Sequence, residues 1–557
     1  MTFPEPDSLV PPSSRLSPTA ALRLPPRPLV LHSLKTPNHL NLLNLLNLAS
    51  VPNLPGLPAS PGRRRRPAPP IQSVPTSVSA RPAIPIDEHH HASRDVSASF
   101  HTHESSVKSR KGSPHFPLST PPYRVFRSRL PNGLRLVTIE TPHLHTASIA
   151  LYARVGARYE TRRTNGLSHF VEHMLFRGSS RFANSFELNY AIESVGGTLY
   201  AETGRDYSLY QIPLHPTELP RGLEIMGDLF ATPRFSDIEL ERQIILEEIL
   251  EDLDEDGRNV NVDDLSRAAV WGNHPLGFPI TGPLANVQRF STDEVRAHFA
   301  TFYGASNMVL CLAGPIRHTR VEPLAAAAFS RIPRGRRAQP TPAPAPGPAS
   351  GTRPRFRMVP NDSAQIQTQL VWQGIPDSDP DYLALSALVR ILDDGMSTRL
   401  HYQICDQKGL AYNVSGGIEP LHDTALLEID AACAPAKLPD LLAEALSLVE
   451  RFRTELVRAD DLAKAKRRFR GDIEASYDDI DGLSGWYGGT SLFYTPRTHA
   501  ERLRRFESVT AEAIQRVANR VLRTERRTVT AVGALTAKQE RRVRSIVRRE
   551  PARAPGA

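Results

Sequence analysis

His169-Phe170-Val171-Glu172-His173 puts two imidazoles and a carboxylate within one short run, inside the apolar stretch Leu167 to Phe176. On a helix, residues at i and i+4 leave the same face one turn apart, so His169 and His173 can grip one divalent ion. Glu172, next to His173, can reach a water on that ion. The order H-x-x-E-H reverses the commoner zinc motif H-E-x-x-H. The bland alternative is a pair of surface histidines beside a solvated glutamate.

A catalytic zinc usually has three protein ligands and one open position, so a third ligand decides between these readings. Downstream, Glu239-Leu240-Glu241-Arg242-Gln243-Ile244-Ile245-Leu246-Glu247-Glu248-Ile249-Leu250 places Glu241, Ile244, Ile245 and Glu248 on one helical face. Carboxylates among buried isoleucines need a partner, because an unpaired buried charge is costly. A metal is one such partner. A solvated acidic face is the alternative, and it suits most of Glu247, Glu251, Asp252, Asp254, Glu255 and Asp256.

The run Gly166-Leu167-Ser168-His169-Phe170-Val171-Glu172-His173-Met174-Leu175-Phe176-Arg177-Gly178 resembles the signature of the M16 metallopeptidases. This is the inverzincin family of pitrilysin, insulysin and mitochondrial processing peptidase. Its third ligand is a glutamate about 75 residues after the second histidine, in a segment E-R-x-[VI]-I-x-x-E. Glu241 to Glu248 fits that segment, and Glu248 follows His173 by 75 residues. The resemblance covers roughly residues 123 to 540. It implies one Zn2+ per chain held by His169, His173 and Glu248, with Glu241 as a supporting carboxylate. It also implies a zinc endopeptidase for unfolded peptides, working through a metal-activated water with Glu172 as general base. Substrate would add as a strand at the sheet edge Thr198 to Thr203.

Two departures from the family pattern stand out. The edge strand of the family often reads N-A-x-T, whereas this chain has Tyr200-Ala201-Glu202-Thr203, so Tyr200, Ala201 and Thr203 are the substrate-binding candidates there. A second run, often R-x-x-x-G-L-A-Y, is Cys405-Asp406-Gln407-Lys408-Gly409-Leu410-Ala411-Tyr412. The tyrosine is kept, but Cys405 stands at the arginine position, and Lys408 one turn on is a poor substitute for a planar guanidinium. Tyr412 either reaches substrate or simply packs in a strand. The resemblance leaves two functional readings. One is an active peptidase, working alone, as a homodimer, or with a homologous partner that supplies the arginine. The other is a weak or inactive structural subunit of such a pair or of a respiratory-core-like assembly. The four chemical groups favour the enzyme.

The elements that must position these groups follow from periodicity. Val125 to Arg129 and Leu134 to Glu140 read as strands around Pro131-Asn132-Gly133, a strong hairpin turn. Further strands are expected at Thr146 to Val155, Thr198 to Glu202, Tyr207 to Pro213 and Met308 to Gly314, with helices at Ser185 to Val195, Glu218 to Thr232, Asp237 to Glu255 and Thr292 to Phe302. Past the proline-rich stretch the pattern restarts. Strands are expected at Gln365 to Trp372, Ala411 to Gly416, Ala425 to Cys433 and Thr528 to Gly533. Helices are expected at Tyr382 to Leu392, Leu438 to Leu456, Ala459 to Tyr477 and Ala511 to Leu522. Both parts close on helix, turn, apolar strand and glycine, a weak repeat with the metal motif only in the first copy.

The expected fold class is therefore α+β. The resemblance implies two homologous halves, each a mostly antiparallel sheet packed by helices, facing each other as a clam-like chamber. The expected segments are a disordered Pro/Ser/Arg/His-rich stretch 1–122, a zinc-binding domain 123–332, a Pro/Ala-rich linker 333–354, a second domain 355–548 without a metal motif, and a disordered tail 549–557.

The formal charge of +9 over 557 residues is modest, and with no recognised motif no nucleic-acid partner is expected. Cys311, Cys405 and Cys433 have neither metal nor redox spacing. Met1 begins an acidic, proline-broken stretch that does not read as a secretory signal, and no apolar run is long enough for a transmembrane helix. A soluble, cytoplasmic protein is the expectation.

Overall fold

The computed structural model describes residues 121–345 and 355–548, so the expectations for the N-terminal stretch, the end of the linker and the tail lie outside the described residues. The first sheet comprises β1 (Arg124–Arg129), β2 (Arg135–Glu140), β3 (Ala147–Ala153), β4 (Tyr200–Thr203), β5 (Ser208–Leu214) and β6 (Met308–Gly314), in the order β1-β2-β6-β3-β5-β4. The second comprises β7 (Arg355–Pro360), β8 (Ile366–Gln373), β9 (Val414–Pro420), β10 (Ala425–Cys433) and β11 (Thr528–Gly533), in the order β7-β11-β8-β10-β9. Each sheet is antiparallel except for one parallel pair, β2 with β6 in the first and β7 with β11 in the second. Apart from the extra strand β1, the order is the same in both sheets, which makes the weak sequence repeat a repeat of topology. The fold is α+β, two mixed sheets with helices.

Both faces of the first sheet are covered, so β3 and β6 are buried along their whole length. One face (Leu136, Ile149, Leu151, Leu310, Leu312) packs on α1 (Leu167–Leu175), α2 (Ser185–Glu193), α3 (Leu219–Ala231) and α4 (Ile238–Glu251). The opposite face (Val137, Ala150, Tyr152, Val309, Cys311) is covered by the helical stretch 480–492 from the other half of the sequence. That stretch comes close because it carries glycine: a Cβ on Gly488 would lie 2.6 Å from Cys311 Cβ. Burial there pushes the Cys311 thiol up to about 12, as expected of an inert buried cysteine.

The exchange is reciprocal. Helix α5 (Val262–Trp271), capped by the Asn261 side chain, leaves the first half and packs on β8 and β11. Its Arg267 is fully buried and donates to Glu419 at 2.7 Å and Glu428 at 3.3 Å, with Asp263 also against it. Burial raises the Glu428 carboxyl to about 8, against the pull of Arg267. Removing Arg267 strands buried carboxylates, so Arg267→Met should lose about 3–5 kcal/mol of stability. Urea titration at pH 7 checks this, and a shift of under about 1 kcal/mol would show that the cluster is not a lock between the two sheets.

The proline-rich segment 333–345 is bonded to both sides. Ala338 N–H donates to Asn307, the Thr341 carbonyl accepts from Arg158, Ala343 N–H donates to Asp423, and the Pro344 carbonyl accepts from Gln373. It works as a strap, extended as its prolines require.

Three expectations need correction. The strand placed at Ala411 to Gly416 begins only at Val414, because a π-helical stretch His401–Gln407 and a turn at Gly409 precede it. Ile244, read as buried, is 44% exposed, while Ile245 and Ile249 turn into the core. Helices α5, Leu284–Arg289, His318–Ala328, His499–Glu507 and Ala537–Arg548 were not expected, since they are short, rich in charge, or broken by Pro323. No helix among the described residues is long and apolar enough to cross a membrane.

Candidate metal centre

Helix α1 starts at Gly166, whose φ of 103° suits glycine and which offers no side-chain cap. The cap comes from elsewhere. The buried Glu160 carboxylate accepts from Gly166 N–H at 2.9 Å, from Ser168 N–H at 2.7 Å and from the Asn165 amide at 2.9 Å. A carboxylate on free amides at the positive end of a helix is favourable. Phe170, Val171 and Met174 turn into the core, which leaves His169, Glu172 and His173 on the remaining side.

Helix α4 packs across α1 and is tied down by the buried Arg242, which donates to the Phe290 carbonyl at 2.7 Å. It brings Glu248 to the two histidines: Glu248 Oε2 lies 3.6 Å from His169 Nε2 and 3.6 Å from His173 Nε2. One ligand atom from each of His169, His173 and Glu248 falls within 4.8 Å of the others. Two imidazole nitrogens and a carboxylate oxygen converging on one point are the donor set of an open zinc site, so the residues present fit the ion.

The supporting contacts suit the same use. His173 Nδ1 lies 3.0 Å from Glu241 Oε2, two turns ahead of Glu248 on α4, and this directs His173 Nε2 toward Glu248. Arg177 bonds the other Glu241 oxygen. Burial alone would raise the Glu241 carboxyl, but His173 and Arg177 hold it below the usual carboxylate range. Burial lowers His169 and so favours the neutral imidazole, which has one nitrogen lone pair to offer. His173 is opposed by burial but raised to about 9 by Glu241, Glu248 and Glu172. An ion taken up there must displace a proton from His173.

Thr203, expected as a substrate contact, instead donates its hydroxyl to Glu172 Oε2 at 2.5 Å. It ends β4, the last strand of its sheet, paired only with β5. On that strand Tyr200 is 58% exposed and Ala201 half-buried. Glu247 is exposed, as expected. Tyr412 is 92% exposed and belongs to no strand, so the packing alternative falls away, and no hydrogen bond joins it to the histidines among the described residues. Cys405 is half-buried, and Lys408 pairs with Glu444 instead of standing in for an arginine. Sequence reasoning missed Glu160, which sits in a loop with no periodic signal. It also missed Arg177, whose i+4 spacing from His173 could have given it away.

Comparison with known proteins gives the family of the chain. Residues 135–284 match the family model described as insulinase (peptidase family M16), and residues 289–469 match the one described as peptidase M16 inactive domain. An uncharacterized zinc protease of Mycobacterium tuberculosis is 30% identical over 400 residues, 71% of this chain and 90% of that one. The chain belongs to peptidase family M16. Other M16 relatives include an uncharacterized zinc protease of Streptomyces coelicolor, 28% identical over 76% of this chain and 92% of that protein. A probable mitochondrial-processing peptidase subunit beta of Arabidopsis thaliana is 26% identical over 84% of this chain and 91% of that one. Among solved structures, a Helicobacter pylori protease superposes with a TM-score of 0.68 at 19% identity, covering 74% of this chain and all of that one. At that identity the likeness concerns the fold.

Proposed function

We propose that this M16 chain is a zinc-dependent endopeptidase acting on unfolded peptides. The observation that carries the reading is the convergence of His169, His173 and Glu248 within 4.8 Å, with Glu172 on the same helix. Zinc held there supplies a Lewis acid for the scissile carbonyl and acidifies a bound water. The rest falls to the protein. Thr203 fixes one oxygen of Glu172. The other is left to take a proton from the attacking water and return it to the leaving amine. The open edge of β4 offers main-chain groups to an extended substrate, and a folded protein cannot present its backbone that way. Hydrolysis of an unstructured peptide by the intact, zinc-loaded chain tests the reading. Equal cleavage of a stable globular protein at structured sites would refute it.

A second feature bears on how the chain works. Cys405 cannot form the fork of hydrogen bonds that a guanidinium gives to a carbonyl or carboxylate. We infer a pair, either a homodimer or a heterodimer with a homologous subunit that supplies the anchoring arginine. The isolated chain should then be weakly active, and Cys405→Arg should raise its kcat/KM by about tenfold, the worth of one good charge-assisted bond. Full activity from the isolated chain, unmoved by Cys405→Arg, would remove the need for a heterologous partner.

A further inference from the structure

Four arginines gather at one end of the first sheet, and none of them forms an ion pair among the described residues. Arg129 ends β1 and stands opposite Arg135, which opens β2. Arg135 lies beside Val309 of β6, whose partner on β3 is Tyr152. Arg154, two residues beyond Tyr152, continues the same face. The strap adds Arg337.

Arg135, Arg154 and Arg337 converge on the end of the helical stretch that crosses from the other half. Arg135 Nη1 donates to the Ser491 carbonyl. Arg337 Nη2 donates to the Leu492 carbonyl at 2.8 Å. The Arg154 guanidinium lies 4.9 Å from the Phe493 ring, with its Nη1 3.3 Å from the Ala338 carbonyl. Arg154 is 5% exposed, yet its Nε is buried without an acceptor, and Arg135 Nη2 is buried without one too.

Helix carbonyls account for part of this, but a helix C-terminus amounts to roughly half a negative charge, far short of four guanidiniums. The adjacent carboxylates are already engaged, since Asp206 and Asp423 both accept from the buried Arg158 at 2.8 and 2.6 Å. Arg135 is drawn down to about 10 by burial, with Arg337, Arg154 and Arg129 adding to the effect. The positive charge at this corner is uncompensated. Arg129 and Arg337 are exposed, so the cluster opens to solvent at one side.

We propose that this cluster is an anion site, which takes a multiply charged phosphate-type oxyanion between the first sheet, the strap and residues 491–493. The planar fork of arginine matches phosphate oxygens in pairs, and several guanidiniums around one ligand call for more charge than a single carboxylate brings. The occupant would tie the strap to both halves, using none of the metal-site residues His169, Glu172, His173 and Glu248.

The test is calorimetric titration of the intact, zinc-loaded chain with inorganic phosphate, pyrophosphate and ADP, each against sodium chloride of equal ionic strength. The expected result is saturable binding of one equivalent of pyrophosphate, weakened about tenfold or more in the Arg129→Gln/Arg337→Gln double variant. Those two side chains are exposed, so the variant keeps the buried pair and the fold. ADP binding as tightly as pyrophosphate would mark a nucleotide as the source; pyrophosphate alone would mark an inorganic polyphosphate. No saturable binding beyond chloride, or equal binding by the variant, would overturn the site. The second outcome would also expose any pyrophosphate held at the zinc instead.

Discussion

Glu172→Gln should keep its zinc and lose peptide hydrolysis by roughly 10²–10⁴-fold, the usual worth of a positioned general acid–base. The glutamine keeps the size of the side chain and can still accept the hydroxyl of Thr203, now 2.5 Å from Glu172 Oε2. What it cannot do is take a proton. Glu172 is not among the three groups that converge as ligands, so the metal should stay. Zinc content, circular dichroism and hydrolysis of an unstructured peptide, measured on one preparation, separate the effects. A variant that holds zinc and cleaves at the native rate would show that another group moves the proton.

Glu241→Gln should weaken zinc binding by about 10–100-fold, the range seen when the carboxylate behind a metal-bound histidine is changed. Glu241 is 5% exposed and joins His173 Nδ1 to Arg177. Glutamine fills the same volume and can accept one hydrogen bond, but it carries no charge to support the imidazole or to pair with Arg177. Competition against a chelator of known affinity reads the change directly. Glu172→Gln is the internal reference, since its affinity should stay near native. Equal affinities in native and Glu241→Gln would mean that the His173 ring is held by packing alone.

The chemistry was more legible in the sequence than the architecture that holds it. H-x-x-E-H puts its groups on one helical face by spacing alone, and Glu248 needed only the segment that resembles the M16 pattern. The first is a consequence of local periodicity; the second is what the family resemblance implies. Thr203 was noticed for its place on the edge strand, but its bond to Glu172 depends on how that strand docks against α1, which no local pattern encodes. Glu160 was invisible for the same reason. The strands β6 and β11 and the helix Tyr382–Leu392 came out with the expected bounds because they are apolar and buried. The exchange of α5 and the stretch 480–492 between the sheets did not come out at all. It is written in pairings such as Arg267 with Glu419 and Gly488 with Cys311, between residues far apart in sequence.

A peptidase of this kind must hold a metal at the point where α1 and α4 meet. The direct measurement is the zinc content of the purified intact chain beside that of His173→Ala, by elemental analysis after removal of loosely bound ions. The expected result is about one zinc per native chain and close to none in the variant, because loss of one of three protein ligands removes most of the affinity. Equal zinc in the two proteins, or none in a native chain refolded and offered the metal, would contradict it.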